Sequence, residues 1–290
     1  MSKDSIFSPF SLCVHKKLVT FDRPAVMGIL NIGNDSFYDG GRYTSVDKAL
    51  SQAAKLLSDG ADIIDIGATS SKPGNRLADA NDEISRLSPV IREIRRRFPD
   101  AIISVDTYLA ASAAASIDCG ADIINDISGG LLDEQMFSTV ARLQAPYIMM
   151  HTTGRPDEMQ LKCEYNDIIQ DLCLFFSSRL DRLYRLGVKD VWIDPGFGFG
   201  KTLEQNYELL DRLDELTSSF REPLLVGVSR KSMIYRKLGI TPEEALNGTT
   251  VINTKALLRG AKILRVHDPK PALEAINLLL PAQNTKTPTN

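Results

Sequence analysis

The chain has 290 residues, enough for one large α/β domain or two smaller ones, with 43% hydrophobic and 24% charged residues. Its 34 basic and 37 acidic side chains give a net charge of −3, so there is no electrostatic case for nucleic acid or an anionic membrane as partner. No apolar run approaches the ~18 residues of a membrane span, and the N-terminus MSKDSIFSPF lacks a signal-peptide core. The four cysteines (Cys13, Cys119, Cys163, Cys173) form no C-x-x-C pair and are expected as reduced core residues of a cytoplasmic protein.

Residues 1–25 precede the first repeating unit and are expected to cap the rest as a short hairpin. Short β-branched runs then recur at 26–31, 62–67, 102–106, 122–126, 146–151, 191–194, 223–229 and 262–266, and these are the predicted strands. Between them lie segments with apolar residues at helical spacing, such as VDKALSQAAKLLSDG and ANDEISRLSPVIREIRRRF. Gly60, Gly120, Gly187 and Gly260 each stand between a helix and the next strand, where a left-handed C-cap is expected. Strand and helix alternate through eight units without a linker, which argues for a parallel sheet with right-handed crossovers. Eight units predict an α/β fold consisting of a single (β/α)8 TIM barrel over 26–280, followed by a disordered polar tail at 281–290. The competitor, a doubly wound open sheet, lacks its G-x-G-x-x-G signature here.

A barrel of this kind builds its site at the C-terminal ends of its strands. Each predicted strand ends on polar or site-type residues: Asn31, then Gly67 with the loop ATSSKPGN, Asp106, Asn125, Met150 with His151, Asp194, the stretch Ser229-Arg230-Lys231, and Arg265 with His267. Taken singly, a polar residue after a strand is usually a helix N-cap or turn residue, and Asp106 and Asp194 would pass as caps. Their joint occurrence describes a pocket. Arg265, His267 and Asn31 fall on adjacent strands and suit a phosphate with bound Mg²⁺, which prefers oxygen ligands. Asp106, Asn125, Asp194 and Lys231 point into the mouth and can read the donor and acceptor edge of a flat heterocycle. Phe197, Phe199 and Met150 would supply apolar surface around such a ring.

DPGFGFGK (194–201) resembles a phosphate loop but has Pro195 where a P-loop needs glycine and Lys201 where a dinucleotide fingerprint needs its last glycine. Its glycines are expected to let the backbone approach a ligand closely.

These residues match a known family. The segments MGILN (27–31), DSFYDGGRY (35–43), SVDT (104–107), GADIINDISGG (120–130), MMH (149–151), DPGFGFGK, PLLVGVSRKSMI (223–234) and GAKILRVHD (260–268) resemble dihydropteroate synthases over about residues 20–280. The resemblance implies a barrel that condenses 6-hydroxymethyl-7,8-dihydropterin diphosphate with 4-aminobenzoate, giving dihydropteroate and diphosphate in folate synthesis. It also implies roles. Asn31 would hold Mg²⁺, and with Arg265 and His267 would bind the diphosphate. Ser71, Asp106, Asn125, Ile127, Met150, Asp194, Phe199, Gly227 and Lys231 would hold the pterin. Lys72, Pro73, Phe199, Ser229 and Arg230 would border the aminobenzoate. Asp106, Lys231 and Asp35 would serve catalysis. A homodimer is expected, with exposed apolar positions on the last helices available for it.

Two departures lie on the loops that should close over the second substrate. Gly33-Asn34 replaces the family's usual Thr-Pro after the strand-one asparagine, which enlarges the loop's unfolded ensemble by about 1 kcal/mol. Lys72 replaces an arginine and gives up its planar bidentate contact, and Thr69 stands where a glutamate is common. The alternatives to a working synthase are a pterin-binding paralogue impaired by these loops, a pterin-dependent methyl-transfer domain, and a phosphate-binding barrel of unrelated chemistry.

Overall fold

A computed structural model describes residues 7–14, 17–32, 42–68, 79–155, 157–161 and 163–280. The chain opens with an antiparallel hairpin, β1 (Phe10–Val14) and β2 (Lys17–Phe21), paired from Phe10↔Phe21 to Val14↔Lys17. There follow β3 (Ala25–Asn31), α1 (Arg42–Ser58), β4 (Ile63–Gly67), α2 (Ala80–Arg97), β5 (Ile102–Asp106), α3 (Ala110–Asp118), β6 (Ile123–Asp126), α4 (Met136–Leu143) and β7 (Tyr147–Met150). The second half runs α5 (Ile168–Arg185), β8 (Val191–Asp194), α6 (Leu203–Asp211), α7 (Leu213–Ser219), β9 (Leu225–Val226), α8 (Ser232–Leu238), α9 (Leu246–Leu258), β10 (Ile263–Val266) and α10 (Pro269–Leu279).

The eight strands from β3 onward form one parallel sheet in the order β8-β7-β6-β5-β4-β3-β10-β9. A parallel bridge between Ile193 and Leu224 brings its two ends together, so the sheet curls into the expected barrel. The predicted strand 223–229 shortens to the ladder at Leu225–Val226, because the chain turns out of the sheet at Val228, whose carbonyl accepts from Lys231 N–H. The expected glycine caps hold: Gly60, Gly120, Gly187 and Gly260 have φ of +94°, +108°, +84° and +95°.

Strand periodicity separates two cores. Ile64, Ile66, Ile103, Val105, Ile124, Tyr147, Val191, Val226 and Leu264 face outward and pack with the helices. Their alternates Met27, Ile63, Ile123, Ile148, Trp192, Leu225 and Ile263 face inward and meet Leu12, Val14 and Phe21 of the hairpin. Phe10 stacks on Phe21 at 4.8 Å and meets Trp192 edge-on at 5.6 Å. The hairpin therefore plugs the N-terminal end of the barrel, as expected for a cap. Two residues further along β4, β5, β6, β8 and β10 the inward positions turn polar, and the site begins there.

The cysteines depart in part from expectation. All four are unpaired, but only Cys119 is buried; Cys13 is exposed on the hairpin and Cys163 and Cys173 are half-buried. None of the helices among the described residues is long and apolar enough to cross a membrane.

Candidate active site

The inward positions above the apolar layer include Asp65 on β4, Ser104 and Asp106 on β5, Asn125 on β6 and Arg265 on β10, and the first four of these are buried. Arg265 crosses the barrel: its Nε donates to Asp65 Oδ2 at 2.6 Å and its Nη2 to Asp106 Oδ2 at 2.6 Å. Asn125 Nδ2 donates to the same Asp65 oxygen at 3.1 Å, which turns the amide oxygen of Asn125 away from Asp65. Gly227 lies beside Arg265, where an added Cβ would touch the arginine Cβ at 3.7 Å. Gly67 has a similar place at the end of β4, since its Cβ would stand 3.6 Å from both Asn31 Oδ1 and Asp106 Oδ2. A bare glycine there keeps the gap between those two side chains open.

Asp194 ends β8, 6% exposed, and its Oδ1 accepts the Gly196 N–H at 2.8 Å. Burial raises its pKa, and nearby Lys231 opposes that rise. Lys231 immediately precedes α8. Its Nζ donates to Phe197 O at 2.6 Å and sits 4.4 Å over the Phe199 ring. Burial lowers Lys231 to about 8, with Asp194 pulling in the other direction. Asp106 is raised by burial and by the carboxylates of Asp65, Glu83 and Asp126, against the pull of Arg265. Ile127, Met150 and Phe199 meet Tyr108 and Met159 in a separate apolar cluster at the mouth.

Three sequence expectations need correction. Phe197 is fully buried in the outer, helix-packed core, so its ring gives the mouth nothing; its carbonyl is the part that reaches Lys231. Arg230 turns away from the mouth: its Nε and Nη2 bond Asp268 at 2.9 and 3.2 Å, and its Nη1 bonds Pro242 O and Glu243 O. The glycines of DPGFGFGK approach protein rather than ligand, because a Cβ at Gly196 would collide with His151 O and one at Gly200 with Thr153 Oγ1. Ser229 is engaged with His267, its Oγ meeting the ring Nδ1 at 3.0 Å and accepting the backbone N–H at 3.2 Å. His267 is pushed down to about 4, first by burial and then by Arg265, so near neutrality it offers a hydrogen bond and no charge. Asp35, Ser71, Lys72, Pro73 and the departures Gly33, Asn34 and Thr69 lie outside the described residues.

Asp65 was absent from the sequence expectations. The alternation Ile63-Asp65-Gly67 was the signal for it: an acid on the inner face of a barrel strand requires a partner, and Arg265 on β10 is the strand-borne arginine available.

The donor set bears on a metal. No group of three or more His, Cys, Asp or Glu among the described residues is arranged to hold one. The exposed Asn31 at the tip of β3 offers a hard amide oxygen near the Asp106 carboxylate. That suits Mg²⁺, which takes one or two protein ligands and completes its shell with substrate phosphate and water.

The fold and the mouth together define a parallel α/β barrel with a buried polar pocket at the C-terminal ends of its strands. The family model described as "Pterin binding enzyme" matches residues 27–267. A dihydropteroate synthase of Streptococcus pyogenes is 42% identical over 91% of this chain and 97% of its own length. Among solved structures, the Yersinia pestis dihydropteroate synthase with a sulfonamide drug superposes with a TM-score of 0.85 at 39% identity, covering 93% of this chain and 97% of that one. The Xanthomonas albilineans dihydropteroate synthase with 4-aminobenzoic acid gives 0.84 at 34% identity, covering 92% and 96%. The chain belongs to the pterin-binding enzymes and, within them, to the dihydropteroate synthase family.

Proposed function

We propose that the chain condenses 6-hydroxymethyl-7,8-dihydropterin diphosphate with 4-aminobenzoate to 7,8-dihydropteroate and diphosphate. The observation that carries this is the convergence of Asp106, Asn125, Asp194, Lys231 and Arg265 on one barrel mouth in a member of this family. Asn125 and Asp194 present acceptors to the amino and amide N–H groups of the pterin, while Lys231 donates to a ring acceptor and Met150 and Phe199 flank the ring.

The amine nitrogen of 4-aminobenzoate attacks the pterin methylene carbon as the carbon–oxygen bond to diphosphate breaks, and the amine gives up a proton. The carbon becomes positive before the new bond is complete, and the buried Asp106 carboxylate lies where it can stabilise that charge. Holding both substrates in line supplies much of the rest. No protein nucleophile is needed.

Mg²⁺ is part of the proposal. Arg265 already shares its charge with two carboxylates, Lys231 stands beside Asp194, and His267 is neutral. The described rim therefore has little unshared positive charge for a diphosphate. Mg²⁺ held by Asn31 would supply that charge and make diphosphate a better leaving group.

A homodimer in the cytoplasm completes the proposal. Val251 and Leu258 lie on one face of α9, 58% and 57% exposed, with Leu278 of α10 87% exposed. Light scattering should give twice the chain mass, and a monomer would refute that part. The unpaired cysteines fit a reducing compartment.

The test incubates the protein with the pterin diphosphate, labelled 4-aminobenzoate and Mg²⁺. Labelled dihydropteroate should form, and should be lost with EDTA and in Asp106→Ala and Lys231→Ala. Absence of product with retained pterin binding would instead favour the impaired paralogue, for which no described residue speaks at present.

A further inference from the structure

DPGFGFGK contains a lysine to which the proposed reaction assigns no role. Lys201 is 3% exposed, and its Nζ lies 3.0 Å from His151 Nδ1, 3.0 Å from Gly196 O and 3.1 Å from Phe199 O. The Lys201 amino group finds three partners from one atom, and burial lowers its pKa to about 7, with Asp194 pulling in the other direction. His151 stands just past β7, and its pKa is held well below the usual value by burial first and by the Lys201 charge second. The neutral ring can therefore accept at Nδ1.

The backbone around Lys201 is irregular and depends on side chains to fix it. Gly196, Gly198 and Gly200 all adopt left-handed φ, at +69°, +79° and +59°. Tyr165 Oη donates to Gly200 O at 2.9 Å, Gln160 Nε2 to Gly198 O at 2.8 Å, and Gly198 N–H donates to Asn206 Oδ1 at 2.7 Å. What the loop delivers is functional: the Gly196 N–H that orients Asp194, the Phe197 carbonyl that holds Lys231, and the Phe199 ring beneath Lys231.

We infer that Lys201 is a positioning residue for the pterin: its Nζ ties the β8–α6 loop to the end of β7 and so sets Phe199 and Lys231 against the ring. The inference rests on the synthase reading and deepens it. Lys201 touches neither substrate and acts through Gly196 and Phe199.

Steady-state kinetics of Lys201→Met, Phe199→Leu and the double variant test this, with wild-type turnover measured first. Lys201→Met should raise KM for the pterin diphosphate about tenfold while kcat changes less than about threefold. In the Phe199→Leu background the same substitution should raise KM by clearly less than about tenfold, because one of the two groups it positions is gone. If Lys201→Met does not fold, Tyr165→Phe, which releases Gly200 from the same loop, should give the same pattern on a smaller scale. An unchanged pterin KM in an active protein, whatever the melting temperature does, or costs that add in full, would overturn the inference alone. A wild type without turnover would overturn the synthase reading and this inference with it.

Discussion

Asp65 is completely buried inside the barrel, with one oxygen shared between Arg265 and Asn125. Removing one member of a buried ion pair leaves the other charge without its partner and commonly costs about 3–5 kcal/mol. Arg265 retains Asp106, so Asp65→Asn should lose about 3 kcal/mol of unfolding free energy in urea, at the low end of that range. It should also raise the pterin KM, since an uncharged amide at 65 is a weaker acceptor for Arg265 and Asn125 and orients them less firmly. Titration of His267 gives a second expectation. In the unfolded chain an imidazole takes up a proton around its ordinary 6.5, whereas the folded site refuses it until about 4. Its contribution to stability is therefore full above pH 6.5 and is lost as the pH falls toward 4. His151 is shifted in the same direction. Urea unfolding of His267→Gln between pH 7 and 4 should show a shallower loss than the parent; parallel curves would refute this. At this scale the residues at strand ends were legible, because polar side chains interrupt apolar runs there. Asp65 and Lys201 were not, because their partners come from β10, β7 and the loop itself, and nothing local announces a partner 200 residues away.

The loop from β8 to α6 is the element with least tolerance. At Gly196 the backbone is left-handed and a Cβ would meet His151 O, so Gly196→Ala is both strained and obstructed. It should abolish pterin binding by calorimetry and lower the melting temperature, while Gly187→Ala, with open space around it, should be far milder. The sequence reading assigned the Gly196 region to ligand approach because glycine reports close contact without saying with what. It found eight strands by period, yet said nothing of the split between α6 and α7 and ran the seventh strand on to 229, whereas the β9 ladder ends at Val226. Those features depend on where the barrel closes, which periodicity does not encode. On the β4–α2 connection, Lys72 keeps the charge of the family's arginine without its planar fork. Lys72→Arg should lower KM for 4-aminobenzoate and strengthen inhibition by a sulfonamide several-fold; unchanged values would show that the difference is neutral.

Across the whole molecule, the hairpin plug and the polar site occupy opposite ends of one barrel. The hairpin fills the N-terminal end with Leu12, Val14, Phe10 and Phe21, and the polar layers occupy the other. Phe10 is half-buried against Trp192 and Phe21, so Phe10→Ala should cost about 2 kcal/mol in denaturant unfolding. The same variant should leave both substrate KM values unchanged, and a shifted KM would mean that the two ends are coupled.

Trp192 is the sole tryptophan of the chain, and it sits under that hairpin, in edge-on contact with Phe10 and Phe21. The protein thus has an intrinsic optical reporter at one pole. Selective excitation of the indole should follow detachment of the hairpin and the onset of unfolding, while filling of the pocket at the other pole should leave its emission unchanged. A fluorescence trace and a turnover assay on one sample would therefore time two separate events, the opening of the barrel floor and the loss of its catalytic rim.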